Sequence, residues 1–311
     1  MKKLKIIYLG NFENKNSDTT ELHIKNALIN LGHEVIPISE REFNDLDKTI
    51  DIGDEVPPER PDVKILNVKN PDLFLFHKGE IGYDILVKLL NYLTCTKVCW
   101  YFDKVFPDGE DYIDLVSAYC EYVFMTDGTF IKRHSYNNIY LLRQGIGTLG
   151  IPLKGHYNEK YACDVAFTGT IYEGRKEFDR ILQSNYGNKY KKFNNVFNED
   201  LYDLCASAKV ITAPLYPGDE FYWSSRFYII LGSGGFLVHP DFYGLKEEFT
   251  EGKHFAGYND LEEMIKTINY YLEHEEERKA IQKQGQKQCV EKFTYKHRVE
   301  KMLDKIYKGR E

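Results

Sequence analysis

The sequence predicts an α/β fold of two Rossmann-like, doubly wound domains, and three observations lead there. The chain opens with a strand, a loop, a helix and a second strand, which is the start of a parallel sheet. Successive apolar strands then end in polar residues, the edge at which open α/β sheets bind ligands. Finally, the pattern restarts after a glycine-bearing stretch at 145–161, and 311 residues is about twice a typical domain. The predicted domains are 1–150 and 151–311, with the last helix able to pack back on the first.

Lys5–Leu9 is the opening strand, closed by Gly10-Asn11. Ser17 or Asp18 is placed to cap a helix running to about Leu31, since Leu22, Ala27, Leu28 and Leu31 share a face. Gly32-His33 stops it and Glu34–Ile38 is the second strand. The loop after the first strand lacks a G-x-G-x-x-G fingerprint, so no tightly held dinucleotide is signalled. Residues 40–70 are charged and irregular; their Asp45-Leu46-Asp47 reads more readily as a solvated helix end than as a metal-binding D-x-D. Pro71–Phe76 is a buried strand followed by His77-Lys78-Gly79-Glu80. After a helix over Tyr83–Leu93, Lys97–Phe102 is a strand ending at Asp103. A helix over Tyr112–Tyr119 leads to the strand Tyr122–Met125, which ends at Thr126-Asp127. Asn138–Leu142 closes on Arg143-Gln144-Gly145. Asp103 reads either as a functional group or as the cap of the next helix, and His77 either as functional or as a satisfied structural histidine.

In the second half Cys163–Phe167 is a strand, followed by Thr168-Gly169-Thr170 and a helix over Lys176–Gln183 with Arg175 at its start. A strand, a glycine turn and a helix N-terminus beside an arginine describe an anion-binding corner. Leu201–Ala208 is a short helix and Lys209–Ala213 a strand. Trp223–Pro240 then reads as a helix capped by Ser224 or Ser225, stopped by Gly234-Gly235, and a strand over Phe236–Val238. Arg226 lies in the first turn of that helix, where the dipole disfavours a cation. It is either a phosphate ligand or the partner of Asp219 or Glu220. Asp260–Glu273 and Glu276–Lys292 are amphipathic helices, and Phe293-Thr294-Tyr295 opens the last one.

Composition narrows the function. Six cysteines without a C-x-x-C pair argue against a zinc site or disulfide framework and for reduced thiols in a cytoplasmic protein. A net charge of −7 disfavours a nucleic-acid surface. No stretch reaches the roughly 18 apolar residues of a membrane span, and the short apolar run after Lys2-Lys3 reads as a strand rather than a signal peptide.

Arg226-Phe227-Tyr228, Leu231–Val238, Phe249-Thr250-Glu251-Gly252-Lys253-His254, Tyr258 and Phe293–Arg298 together resemble the C-terminal domain of CgeB-like (spore maturation protein) glycosyltransferases of the GT-B architecture. Asp72–Phe76 and Trp100–Asp103 extend the resemblance to the first half. It implies two domains facing across a cleft, the C-terminal one binding a nucleotide-sugar (a UDP-sugar favoured) and the N-terminal one an acceptor. That acceptor is a protein, a glycan, a small molecule or a modified DNA base. Donor-side residues would be Arg226, Arg175, Gly169, Thr170, Ser225, Tyr228 and Gly10; Asp103, His77 and Glu220 would be catalytic. Relatives carry a Glu-x7-Glu pair whose second glutamate grips the ribose. Here that spacing gives Glu220 and Tyr228, a departure from the pattern. The diphosphate leaving group is expected to be stabilised by arginines and helix amides, without a metal ion or other cofactor. Alternatives on the same fold are a sugar-nucleotide epimerase and a non-catalytic two-lobed binding protein.

Overall fold

The structure, a computed structural model, describes residues 2–12, 19–40, 61–79, 81–147, 155–196, 198–214 and 220–308. Asp45-Leu46-Asp47, Glu80, Asp219 and the proposed caps Ser17 and Asp18 lie outside these residues. By contacts the chain divides into two units, Met1–Arg143 with Tyr295–Glu311, and Gln144–Thr294. The division thus falls before the predicted 150/151 boundary, and the last helix groups with the first unit.

The first unit is built on six parallel strands: β1 (Lys5–Gly10), β2 (Glu34–Ser39), β3 (Leu73–Phe76), β4 (Thr96–Tyr101), β5 (Tyr122–Met125) and β6 (Ile139–Leu141), in the order β2-β1-β3-β4-β5-β6. Its helices before the second unit are α1 (Thr20–Asn30), α2 (Pro61–Leu66), α3 (Tyr83–Tyr92), α4 (Glu110–Tyr119) and α5 (Gly128–Arg133). Strand side chains alternate between faces, and both faces are apolar. Ile7, Leu9, Phe74 and Phe76 pack with Leu86, Leu89, Ile113 and Val116 of α3 and α4. Ile6, Tyr8, Leu73 and Leu75 pack with Ile24 and Leu28 of α1 on the other. Strands covered on both sides read as continuous hydrophobic runs, which is why they stood out in the sequence.

The second unit holds β7 (Cys163–Thr168), α6 (Lys176–Tyr186), β8 (Tyr190–Phe193), α7 (Asn198–Ser207), β9 (Ala208–Thr212), α8 (Ser225–Gly232), β10 (Leu237–Pro240), β11 (Ala256–Tyr258), α9 (Leu261–Glu273) and α10 (Glu275–Lys292). Its five strands are parallel in the order β11-β10-β9-β7-β8. Phe167, Val210 and Val238 face α6 and α9; Ala166, Ile211 and Leu237 face α7 and α8. The chain ends in α11 (Tyr295–Tyr307), whose Val299, Met302 and Leu303 complete the first unit's core beside α1.

Several expected caps are corrected. Thr19 is the N-cap of α1, its hydroxyl accepting from Leu22 N at 3.3 Å. Ser224 holds the N-cap position of α8, yet its hydroxyl makes no capping bond. Asp103 caps no helix; Asp127 does, accepting from Phe130 N at 3.0 Å and from Val105 N at 3.1 Å. The strand after α8 begins at Leu237 rather than Phe236 because Gly234 and Gly235 are still closing the helix. Gly234 adopts φ +80°, and the amides of Gly235 and Gly234 bond back to Ile230 O (2.8 Å) and Leu231 O (2.9 Å). This is a Schellman stop, open to glycine because of the positive φ.

Close packing of α10 also depends on a glycine. A Cβ on Gly285 would overlap the backbone carbonyl of His254 and stand 3.2 Å from Leu231 Cδ2. The carbonyl cannot rotate aside, so Gly285→Ala is expected to destabilise the second unit by about 1–3 kcal/mol. A lower Tm of the full chain checks this, and an unchanged one would show that α10 shifts freely.

Candidate functional sites in the two units

Each sheet has a switch point, where the chain turns from building one way to building the other, and ligands of such sheets bind outside the carboxyl ends there. In the first unit it lies between β1 and β3. The carboxyl ends of β1, β2, β3 and β4 bring Asn11, Glu40, His77, Lys78, Gly79 and Asp103 together with Glu21 of α1 around a cavity of about 300 Å3.

His77 is its centre and is only 5% exposed. Its Nδ1 lies 3.2 Å from Lys78 O. A carbonyl only accepts, so Nδ1 carries a proton, and Nε2 is the ring nitrogen left for another partner. Nε2 stands 3.4 Å from Glu21 Oε1, and Nδ1 lies 3.9 Å from Glu40 Oε1. Gly10 lets the ring approach the backbone, since a Cβ there would sit 2.9 Å from Nε2. Gly79 does the same for Glu40, whose carboxylate fills the place of a Cβ. Gly10, expected at the donor, therefore stands beside His77 in the first unit. Asp103 is exposed on the cavity rim. The Lys78 ammonium reaches the Tyr101 hydroxyl at 3.4 Å. Burial works against that charge, but Tyr101, Asp103 and Asp108 outweigh it and hold the Lys78 pKa above its ordinary value.

In the second unit the switch point lies between β7 and β9. Gly169 follows β7 at φ +144° and is buried, its amide donating to Phe193 O at 2.9 Å. Two guanidinium groups converge on it. A Cβ there would stand 3.3 Å from Arg175 Nη1 and 3.4 Å from Arg226 Nη1. Arg175 Nη1 donates to Thr170 O at 2.8 Å, and its guanidinium lies 4.6 Å from the centroid of the Tyr172 ring. The sequence distance between the two arginines, and their separate helices, are erased by the β7–β9 pairing.

Ser225 is the first residue of α8 and half-buried. Glu220 is exposed, with its carbonyl accepting from Gly244 N at 2.8 Å. Tyr228 is a correction: expected at the donor, it is fully buried, packs against Phe249 and Phe293, and donates its hydroxyl to Glu248 Oε2 at 2.6 Å. The helical phase that points Phe227 and Tyr228 inward takes position 228 out of reach as a ribose ligand. Glu21 and Glu40 were missed, although both stand next to strand ends that the switch-point rule marks.

Residues 157–304 match a family described as glycosyl transferase-like. No curated protein sequence matches the chain. Among solved structures, Anabaena Alr3699/HepE in complex with UDP and glucose is 12% identical, with TM-score 0.62 over 97% of this chain and 99% of that one. An alpha-glucosyltransferase in complex with UDP and a 13-mer DNA is 10% identical, with TM-score 0.68 over 98% and 100%. A glycosyltransferase from Rickettsia africae is 12% identical, with TM-score 0.59 over 99% of both chains. The two parallel-sheet α/β units thus have the fold of GT-B glycosyltransferases, and most of the second unit matches a glycosyl transferase-like family.

Proposed function

We propose that the chain transfers a sugar from a UDP-sugar to an acceptor hydroxyl, with the donor diphosphate held by Arg226 and Arg175 over Gly169. The convergence of two guanidiniums on one glycine at a sheet's switch point carries this reading. The complexes of structurally similar proteins with UDP and with UDP-glucose support the choice of nucleotide. In the transfer, the bond from the anomeric carbon to the diphosphate oxygen breaks and its electron pair stays on the diphosphate. The acceptor oxygen bonds to that carbon and loses its proton. Arg226, Arg175 and the amides near Gly169 and Thr170 neutralise the charge that builds on the leaving group, so no metal ion is needed. On the acceptor side Asp103 and His77 are the candidates to receive the proton. Glu220 faces the donor sugar or diphosphate. Six free cysteines, five of them buried, fit a reducing, cytoplasmic setting.

A thermal-shift series with UDP-, GDP- and dTDP-sugars tests the donor. The expected result is the largest rise in Tm with a UDP-sugar, undiminished by EDTA. A null response to every nucleotide would remove the transferase reading, and loss of the shift in EDTA would remove its metal-independence.

A further inference from the structure

We propose that the cavity at the β1/β3 switch point is the acceptor pocket, and that it takes an uncharged polyhydroxyl compound, a neutral sugar or polyol, whose hydroxyl is held between His77 Nε2 and the Glu21 carboxylate. This rests on the reading of the chain as a sugar transferase. Four observations carry it. His77 is 5% exposed, lines the cavity and has an Nε2 with no hydrogen-bond partner among the described residues. A buried polar atom of that kind is costly unless something meets it. Nδ1 is committed as a donor to Lys78 O, so Nε2 is the ring nitrogen left for a ligand. Glu21 Oε1, an acceptor when ionised, stands 3.4 Å from Nε2. A hydroxyl oxygen fits hydrogen-bonding distance of both atoms at once. It donates its proton to one of them, and a second hydroxyl of the same molecule serves the other.

The charge of the lining selects against anions. Among the described residues, Glu21, Glu40 and Asp103 stand beside the ammonium of Lys78, which is already turned to Tyr101. A phosphate or carboxylate brought into about 300 Å3 among these carboxylates meets like charge at short range. A hydroxyl-rich neutral molecule meets carboxylate acceptors together with the Asn11 amide and the Lys78 ammonium. Recognition of DNA phosphates is disfavoured by the same lining.

The test uses the full chain with 13C-labelled histidine rings, His77→Gln identifying the His77 signal. Methyl glucoside, myo-inositol and glucose 6-phosphate are the probes. The expected result is a saturable shift of the His77 ring with at least one neutral probe and none with the phosphate. Glu21→Gln should weaken that saturation by about tenfold or more, and Glu40→Gln serves if the first variant fails to fold. Equal or stronger response to glucose 6-phosphate overturns the proposal, as does silence with all probes or an unchanged affinity in both variants. Calorimetry with UDP on the same samples separates the two readings. Loss of UDP binding with neutral-probe binding intact strikes the donor assignment alone.

Discussion

Arg226→Ala weakens binding of UDP to the full chain by about 1.5–3 kcal/mol, a tenfold or larger rise in Kd read by calorimetry. The size follows from the chemistry of the corner. A guanidinium in the first turn of α8 opposes the helix dipole, which costs a few tenths of a kcal/mol or more when nothing compensates. A diphosphate reverses that cost by sharing the cation with the helix N–H groups. Arg175→Ala is expected to weaken UDP binding as well, since its guanidinium reaches the same point over Gly169. In the double variant the losses should be non-additive, since both cations reach the same point over Gly169. Arg226→Lys should recover little, as an ammonium does not reproduce a planar fork on phosphate oxygens. Unchanged affinity in Arg226→Ala would return this arginine to a purely structural role.

Much of the architecture behind that corner was legible. Parallel strands covered on both faces are short apolar runs, and β1, β3, β4, β5, β7 and β9 read as such. The strands that escaped notice are β8, Tyr-Lys-Lys-Phe, and the three-residue β11, both at the rim of the second sheet. A rim strand needs only one apolar side, and its lysines hide the signal. Site residues divide the same way. Arg226 and Arg175 declared themselves by local oddity, a cation at a helix start. Glu21 and Glu40 are ordinary in the sequence, a helix residue and a loop residue. Only the order β2-β1-β3 brings them to His77. Tyr228 misled because spacing was read without helical phase: eight residues after Glu220 is a position that α8 turns into the core.

Acidification should unfold the chain well before its carboxylates titrate, with stability falling as pH drops from about 6.5 towards 4. Three buried histidines set this window. His239 lies among Phe227, Phe242 and Phe255 and donates Nδ1–H to Pro240 O at 2.9 Å. Burial pushes its pKa down to about 4. Between that value and the ordinary 6.5, the unfolded state takes up a proton that the folded state refuses, so stability is complete above 6.5 and is lost on the way down. For His239 alone the loss amounts to about 3 kcal/mol. His33 and His254 act in the same direction, each lowered first by burial. Their Nδ1 atoms accept from the amides of Leu4 (3.2 Å) and Thr250 (2.8 Å), bonds that a proton on Nδ1 destroys. Urea unfolding at a series of pH values measures the slope. In His239→Asn the curve should flatten between pH 4 and 6.5, because asparagine keeps a donor for Pro240 O and has no proton to gain. An equally steep curve in that variant would mean that His239 is protonated in the folded chain, in spite of its aromatic surroundings.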